Sequence, residues 1–180
     1  PTIPTRTKLL ARALDSVAKQ TWPPDNISIA MDHARFGAAQ TRNRAMAAAR
    51  TTWIAFLDDD DTFKPQHLKR LIEHQQETGA DVVVPWFDVI GGRDPFPGGE
   101  HLEWDPEHPY SFGITNLVRR ELAMDVGGFP DVQVSQYCAG EDWYFWISLR
   151  DAGAKIVRLF ERTWNYHHGT GNTSGLPNRW

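Results

Sequence analysis

Four consecutive carboxylates, Asp58, Asp59, Asp60 and Asp61, end the unbroken apolar run Trp53-Ile54-Ala55-Phe56-Leu57. Two carboxylates about 4 Å apart repel by roughly 4 kcal/mol at an effective dielectric of about 20. Packing four at the end of a buried strand makes sense if a hard divalent cation, Mn2+ or Mg2+, offsets that repulsion. The competing reading is a solvated acidic turn that favours the N-terminus of the next helix. Three other groups could do chemistry. Asp32 ends a second short apolar stretch. Glu141 and Asp142 open an amphipathic segment, where one carboxylate can act as a general base or both can merely complement a helix terminus. His167 and His168 offer an imidazole, which can complete a manganese site whose other ligands are carboxylate and phosphate oxygens.

The charge balance singles out the aspartate cluster. The chain carries 23 acidic and 19 basic residues, a net charge of −4, so the whole net charge equals these four side chains. That argues against general binding to nucleic acid or anionic membrane and for a localised cation site. The single cysteine, Cys138, excludes an internal disulfide framework and any multi-cysteine metal site. No apolar run approaches the roughly 20 residues of a membrane helix, so no transmembrane segment and a cytoplasmic location are expected. With 41% hydrophobic and 23% charged residues in 180, the chain has the composition of one globular domain. Eight tryptophans are many for this length, and most are expected to serve the core.

The elements that must position these groups alternate. Residues 7–20 carry Leu10, Leu14 and Val17 at helical spacing, and Trp22-Pro23-Pro24 breaks that helix. Ile27, Ile29 and Met31 alternate as in a short strand ending at Asp32. Gly37 opens an alanine-rich helix to about Arg50. The run from Trp53 to Leu57 predicts a strand buried on both faces. Pro65 suits the first turn of the next helix and Gly79 its end. A strand from Ala80 toward Asp88 follows, then a Gly- and Pro-rich loop over 91–113, a short strand and helix over 114–127, a helix over 142–152 and a strand from Lys155 to Leu159. The tail from His167 to Gly175 predicts a flexible flap. Such alternation predicts an α/β fold with a mostly parallel sheet, which binds ligands at the carboxyl ends of its strands. Asp32 and the aspartate cluster then share one rim.

Asp58, Asp60 and Thr62 match the Asp-x-Asp-x-Thr of haloacid-dehalogenase-type phosphatases, but no Gly-Asp-x-x-x-Asp follows anywhere. A longer series fits another family: Val17-Ala18-Lys19-Gln20-Thr21-Trp22, Thr41-Arg42-Asn43-Arg44, Trp53 to Asp61, Gly127-Gly128-Phe129, Gly140-Glu141-Asp142-Trp143 and Tyr166-His167-His168. Together, in this order, they resemble the GT-A glycosyltransferases of family two, which transfer sugars from nucleotide diphosphates. The resemblance implies a GT-A, Rossmann-like domain over 1–180. Residues 1–90 would be the nucleotide-sugar half, and 91–180 the acceptor-binding half with a C-terminal flap.

It also implies roles. Pro1, Thr2 and Arg6 belong to the loop that lines the nucleotide pocket, Asp32 accepts from the base, and Arg42 lies near the nucleotide. Asp58 contacts the nucleotide and helps orient the site, Asp60 binds the metal, and His168 or His167 completes it. Asp142 would be the base, kept ionised by its helix terminus, and Glu141 would orient the acceptor. The expected reaction is metal-dependent, inverting transfer from a nucleotide sugar, with uridine favoured, to an unidentified hydroxyl. A non-catalytic nucleotide-sugar-binding module is the alternative of another class. Family members place an apolar strand before the loop matched by Pro1 to Arg6; without it a sheet edge beside the nucleotide site would be open, and the full gene product is expected to contain it or another segment to fill that position.

Overall fold

The computed structural model describes residues 1–92, 94, 98–105, 113–132 and 140–168. Cys138, much of the 91–113 loop and the flap beyond His168 lie outside the described residues. A 3-10 turn over Pro4–Arg6 leads into helix α1, Thr7–Ala18. Helix α2, Ala38–Ala48, strand β1, Trp53–Ala55, strand β2, Thr62–Phe63, and helix α3, His67–Thr78, follow. The second half holds strand β3, Val82–Ile90, strand β4, Leu117–Arg119, helix α4, Arg120–Asp125, helix α5, Glu141–Asp151, and strand β5, Ile156–His167. Gly79 ends α3 as expected, in the left-handed conformation at φ +65°.

The fold class is the expected α/β, but the sheet is mixed. Its order is β1-β4-β3-β5-β2. Only β3 and β5 run parallel; the other three neighbouring pairs are antiparallel. Pro85 has no N–H to give a ladder, and the β3–β5 register breaks between Val84 and Trp86. Strand β1 is half-buried and, among the described residues, pairs on one side only, so it is an edge strand rather than one buried on both faces.

The strand expected from Ile27 to Asp32 reduces to one parallel bridge, Thr2 to Met31. Ile27 and Ile29 have the alternation of a strand, but both are exposed, because no ladder partner lies beside them among the described residues. An apolar groove of about 650 Å3, lined by Leu14, Val17, Ile29, Met46 and Ile54 among others, runs between that segment and β1.

The core is aromatic. Phe129 and Phe145 lie 4.1 Å apart, and Phe56 meets Phe129 edge-on at 5.2 Å. Trp86, Trp146 and Trp164 are buried in the same cluster, as a tryptophan-rich core requires, whereas Trp22 is exposed. Gln20 clamps the segment after the aspartates, donating to the Lys64 carbonyl at 2.8 Å and accepting from Leu68 N–H at 3.0 Å. The Lys19-Gln20-Thr21 motif thus fixes where β2 ends and α3 begins.

Candidate active site

The link 56–61 runs from β1 at one edge of the sheet to β2 at the other, and it carries all four aspartates. All four have partners, and Asp59 and Asp60 share Arg6. Asp58 accepts two bonds from Arg42 Nη2, at 3.0 and 2.8 Å. Asp59 accepts from Thr2 Oγ1 at 2.5 Å and pairs with Arg6 at 2.9 Å. Asp60 pairs with Arg6 at 2.5 Å, and its carbonyl accepts from Arg12. Asp61 accepts from the His167 N–H at 2.9 Å. The cluster is therefore not a solvated turn: Asp59 and Asp61 are buried.

Burial without full compensation leaves its mark on these groups. Burial pushes the Asp59 carboxyl up, against Thr2 and Arg6. Burial works the same way on Asp58, yet the Arg42 guanidinium overcomes it and holds that carboxyl below its usual range. Asp61 is pushed up to about 8, by burial first and then by Asp58 and Asp60. A carboxyl raised in the folded state adds stability that is complete below its unfolded value and is lost as pH rises through the folded value. Asp61→Asn keeps an oxygen for the His167 N–H but cannot ionise. It is expected to match the wild-type melting temperature at about pH 4 and to exceed it at about pH 8, by on the order of a few kcal/mol in stability. Metal-free melts across that range are the check, and equal values at both ends would refute a buried, ionising Asp61.

The loop Pro1 to Arg6 reaches the cluster through Thr2 and Arg6. Thr2 also joins Asp32: the Asp32 N–H donates to the Thr2 carbonyl at 2.7 Å. Asp32 is buried, and its carboxylate accepts from the N–H groups of Phe36 and Gly37 at 2.9 and 2.8 Å. Burial would raise it, but those two bonds and Arg44 hold it low. Pro1 is half-buried beside these groups.

Glu141 and Asp142 form the first turn of α5. Glu141 is ion-paired to Arg42. Asp142 Oδ1 accepts from Trp143 N–H at 2.8 Å, and a Cβ built on Gly140 would lie 2.9 Å from that oxygen. A glycine at 140 therefore leaves room for the carboxylate. Burial and the neighbouring Glu141 charge raise Asp142. The helix terminus alone was expected to favour its ionised form; the structure adds a stronger opposing effect.

Strand alternation separates the two histidines. His167 Nε2 lies 3.0 Å from Thr62 Oγ1, on the aspartate side, and burial and Arg12 lower its pKa. His168 lies against Gly92, where a Cβ would come within 2.5 Å of its ring. Strand β5 runs to His167, well past the expected end at Leu159, so His167 is strand and not flap. Among the described residues, no group of three His, Cys, Asp or Glu is arranged to hold a metal.

Sequence reasoning missed Asn43. Its side chain donates to the Phe129 carbonyl and accepts from the Phe129 N–H, both at 2.8 Å. The Thr41-to-Arg44 and Gly127-to-Phe129 motifs are thus two halves of one contact. Trp86, Thr115 and Asn116 are buried, Trp104 packs on the core, and Trp143 is half-buried. No described helix is long and apolar enough to cross a membrane.

Residues 26–130 match the family model described as glycosyl transferase family 2. The chain is 45% identical over 62 residues to the succinoglycan biosynthesis protein ExoO of Rhizobium meliloti, covering 34% of this chain and 18% of that protein. It is 24% identical to the putative teichuronic acid biosynthesis glycosyltransferase TuaG of Bacillus subtilis, over 80% of this chain and 57% of the relative. The fold is similar to that of S. aureus TarS 1–349 in complex with UDP-GlcNAc, with TM-score 0.78 and 19% identity, over 96% of this chain and 59% of that one. The chain thus spans less than two thirds of each of these proteins.

Proposed function

Because this chain belongs to glycosyl transferase family 2, we propose that it moves a sugar from a nucleotide diphosphate donor, a UDP-sugar by preference, to an acceptor hydroxyl. The phosphatase reading of Asp58-x-Asp60-x-Thr62 falls with that membership. One observation carries the proposal: three sets of hydrogen bonds from distant stretches of the chain converge on the four consecutive aspartates. Asp32 connects through Thr2 to Asp59, Asp58 through Arg42 to Glu141, and Asp61 to His167. The UDP-GlcNAc complex of TarS supports a uridine donor.

In this reading, residues 1–90 bind the donor and 91–180 the acceptor. Pro1, Thr2, Arg6, Asp32 and Asp58 line the nucleotide side. Asp142 takes the proton from the acceptor hydroxyl as its oxygen attacks the anomeric carbon; the bond to the diphosphate breaks and the centre inverts. Carboxylates and an imidazole are ligand types that suit a hard cation, and they lie in a cluster where burial, then Asp58 and Asp60, hold Asp61 high; no three of them converge among the described residues, so the ion would depend on the donor as well. Asp60, with His167 or His168, would hold Mn2+ or Mg2+, and donor phosphate oxygens would complete its shell. A bound cation would supply charge neutralisation at the departing diphosphate.

Calorimetric titration of UDP, GDP and dTDP, each with Mn2+, Mg2+ or EDTA, tests the donor side. Selective binding of UDP that needs a divalent cation is the expected result. No binding by any of the three would overturn the reading. Binding without any release of UDP from UDP-sugars would favour the non-catalytic module instead.

A further inference from the structure

Arg42 stands between the two halves of the proposed site, and three of its five N–H groups are already committed to carboxylates. Nη2 serves both oxygens of Asp58, at 3.0 and 2.8 Å, while Nη1 is ion-paired to Glu141. The guanidinium carbon sits 5.5 Å from the centroid of the Phe129 ring, and Nε is buried without a hydrogen-bond partner. The residue is 6% exposed. Buried to this degree and with both terminal nitrogens held by carboxylates, the group offers a nucleotide little accessible surface.

The surroundings fix the guanidinium from below as well as at its ends. Asn43, the next residue on α2, holds the Phe129 backbone by two reciprocal bonds. Gly128 has φ +70°, and a Cβ there would lie 2.4 Å from Asn43 Oδ1, so only glycine permits this clamp. Phe129 in turn packs on Phe145 of α5 at 4.1 Å. The body of α5 is therefore positioned by Phe129, and its first residue by Arg42.

We propose that Arg42 is a positioning residue for the transfer step: it spans from Asp58 on the donor side to Glu141 on the acceptor side and thereby sets where Asp142 stands relative to the donor. The inference rests on the transferase reading above and assigns Arg42 a role other than contact with the nucleotide. An arginine is required because its planar fork reaches two carboxylates along different directions, whereas a lysine ammonium is a single point charge. Without the fork, Glu141 and Asp58 are two uncompensated carboxylates near Asp142, and the tip of α5 loses its anchor.

The test uses the full chain with UDP as the binding probe and UDP-GlcNAc as the turnover probe, water taking the acceptor's place. Arg42→Lys, Glu141→Gln and the double variant are compared with wild type. Arg42→Lys is expected to bind UDP within about threefold of wild type and to lose about 100-fold in turnover at saturating donor, the scale of a misplaced reacting group. Glu141→Gln should lose a similar factor, and the double variant little more than either, because the two residues act as one unit. A tenfold or greater loss of UDP affinity with turnover retained would overturn the proposal in favour of a nucleotide contact. Multiplying losses in the double variant would overturn it too. Glu141→Gln decides the matter even if Arg42→Lys does not fold, since turnover within about twofold of wild type would mean that Glu141 needs no such anchor. A wild-type chain that neither binds UDP nor releases it from UDP-GlcNAc would remove the transferase reading itself. An active wild type with unaffected variants would remove only the role of Arg42.

Discussion

Asp142→Asn leaves UDP affinity near the wild-type value and lowers sugar transfer by about 100- to 10,000-fold, the range expected for loss of a general base. The substitution is close to isosteric, and the asparagine oxygen can still accept from the Trp143 N–H that Asp142 Oδ1 accepts from at 2.8 Å. The fold should therefore be unaffected, and only the capacity to take a proton is lost. The pH profile makes the prediction sharper. Burial and the Glu141 charge raise the Asp142 carboxyl, so the base is protonated, and the rate falls, at a pH above the ordinary carboxylate range. The wild-type acidic limb should lie there, and Asp142→Asn should abolish it along with most of the rate. Turnover near wild type, or an unchanged acidic limb, would take the role of base away from Asp142.

What the sequence made legible, and what it did not, follows from the range of the interactions. The aspartate cluster was readable because an apolar run that stops in four carboxylates is a local pattern. Helix α1 was readable from periodicity, and α3 from Pro65 and Gly79 at its two ends. Strand direction was not, because whether β4 lies antiparallel between β1 and β3 depends on partners far along the chain. Thr62–Phe63 is too short to carry any period. Strand β5 was cut short because Glu161, Arg162 and Asn165 interrupt its apolar pattern. That error hid the alternation that turns His167 toward Thr62 and His168 toward Gly92. Ile27 and Ile29 show the opposite failure: they have the pattern of a strand without a neighbour to complete it. Arg42 could be placed on a helix, but its partner Glu141 is 99 residues away, and no spacing rule reaches that far.

Asp60→Ala separates the two readings of the cluster, because they give opposite signs in the absence of metal. If Asp60 holds a cation together with the donor's phosphate oxygens, wild type binds UDP better with Mn2+ than with EDTA, and the variant loses that difference. The loss is expected to be about tenfold or more, since a carboxylate and its charge leave the ion's coordination shell. Without metal, Asp60 can only repel the diphosphate, so the variant in EDTA should bind UDP at least as well as wild type. The fold should tolerate the change, because Arg6 keeps its 2.9 Å ion pair with Asp59 when Asp60 is gone. If Asp60 instead serves only to anchor Arg6, removing it weakens UDP binding equally in Mn2+ and in EDTA. The same two titrations thus distinguish a ligand from a brace, and an equal loss in both would remove the metal assignment.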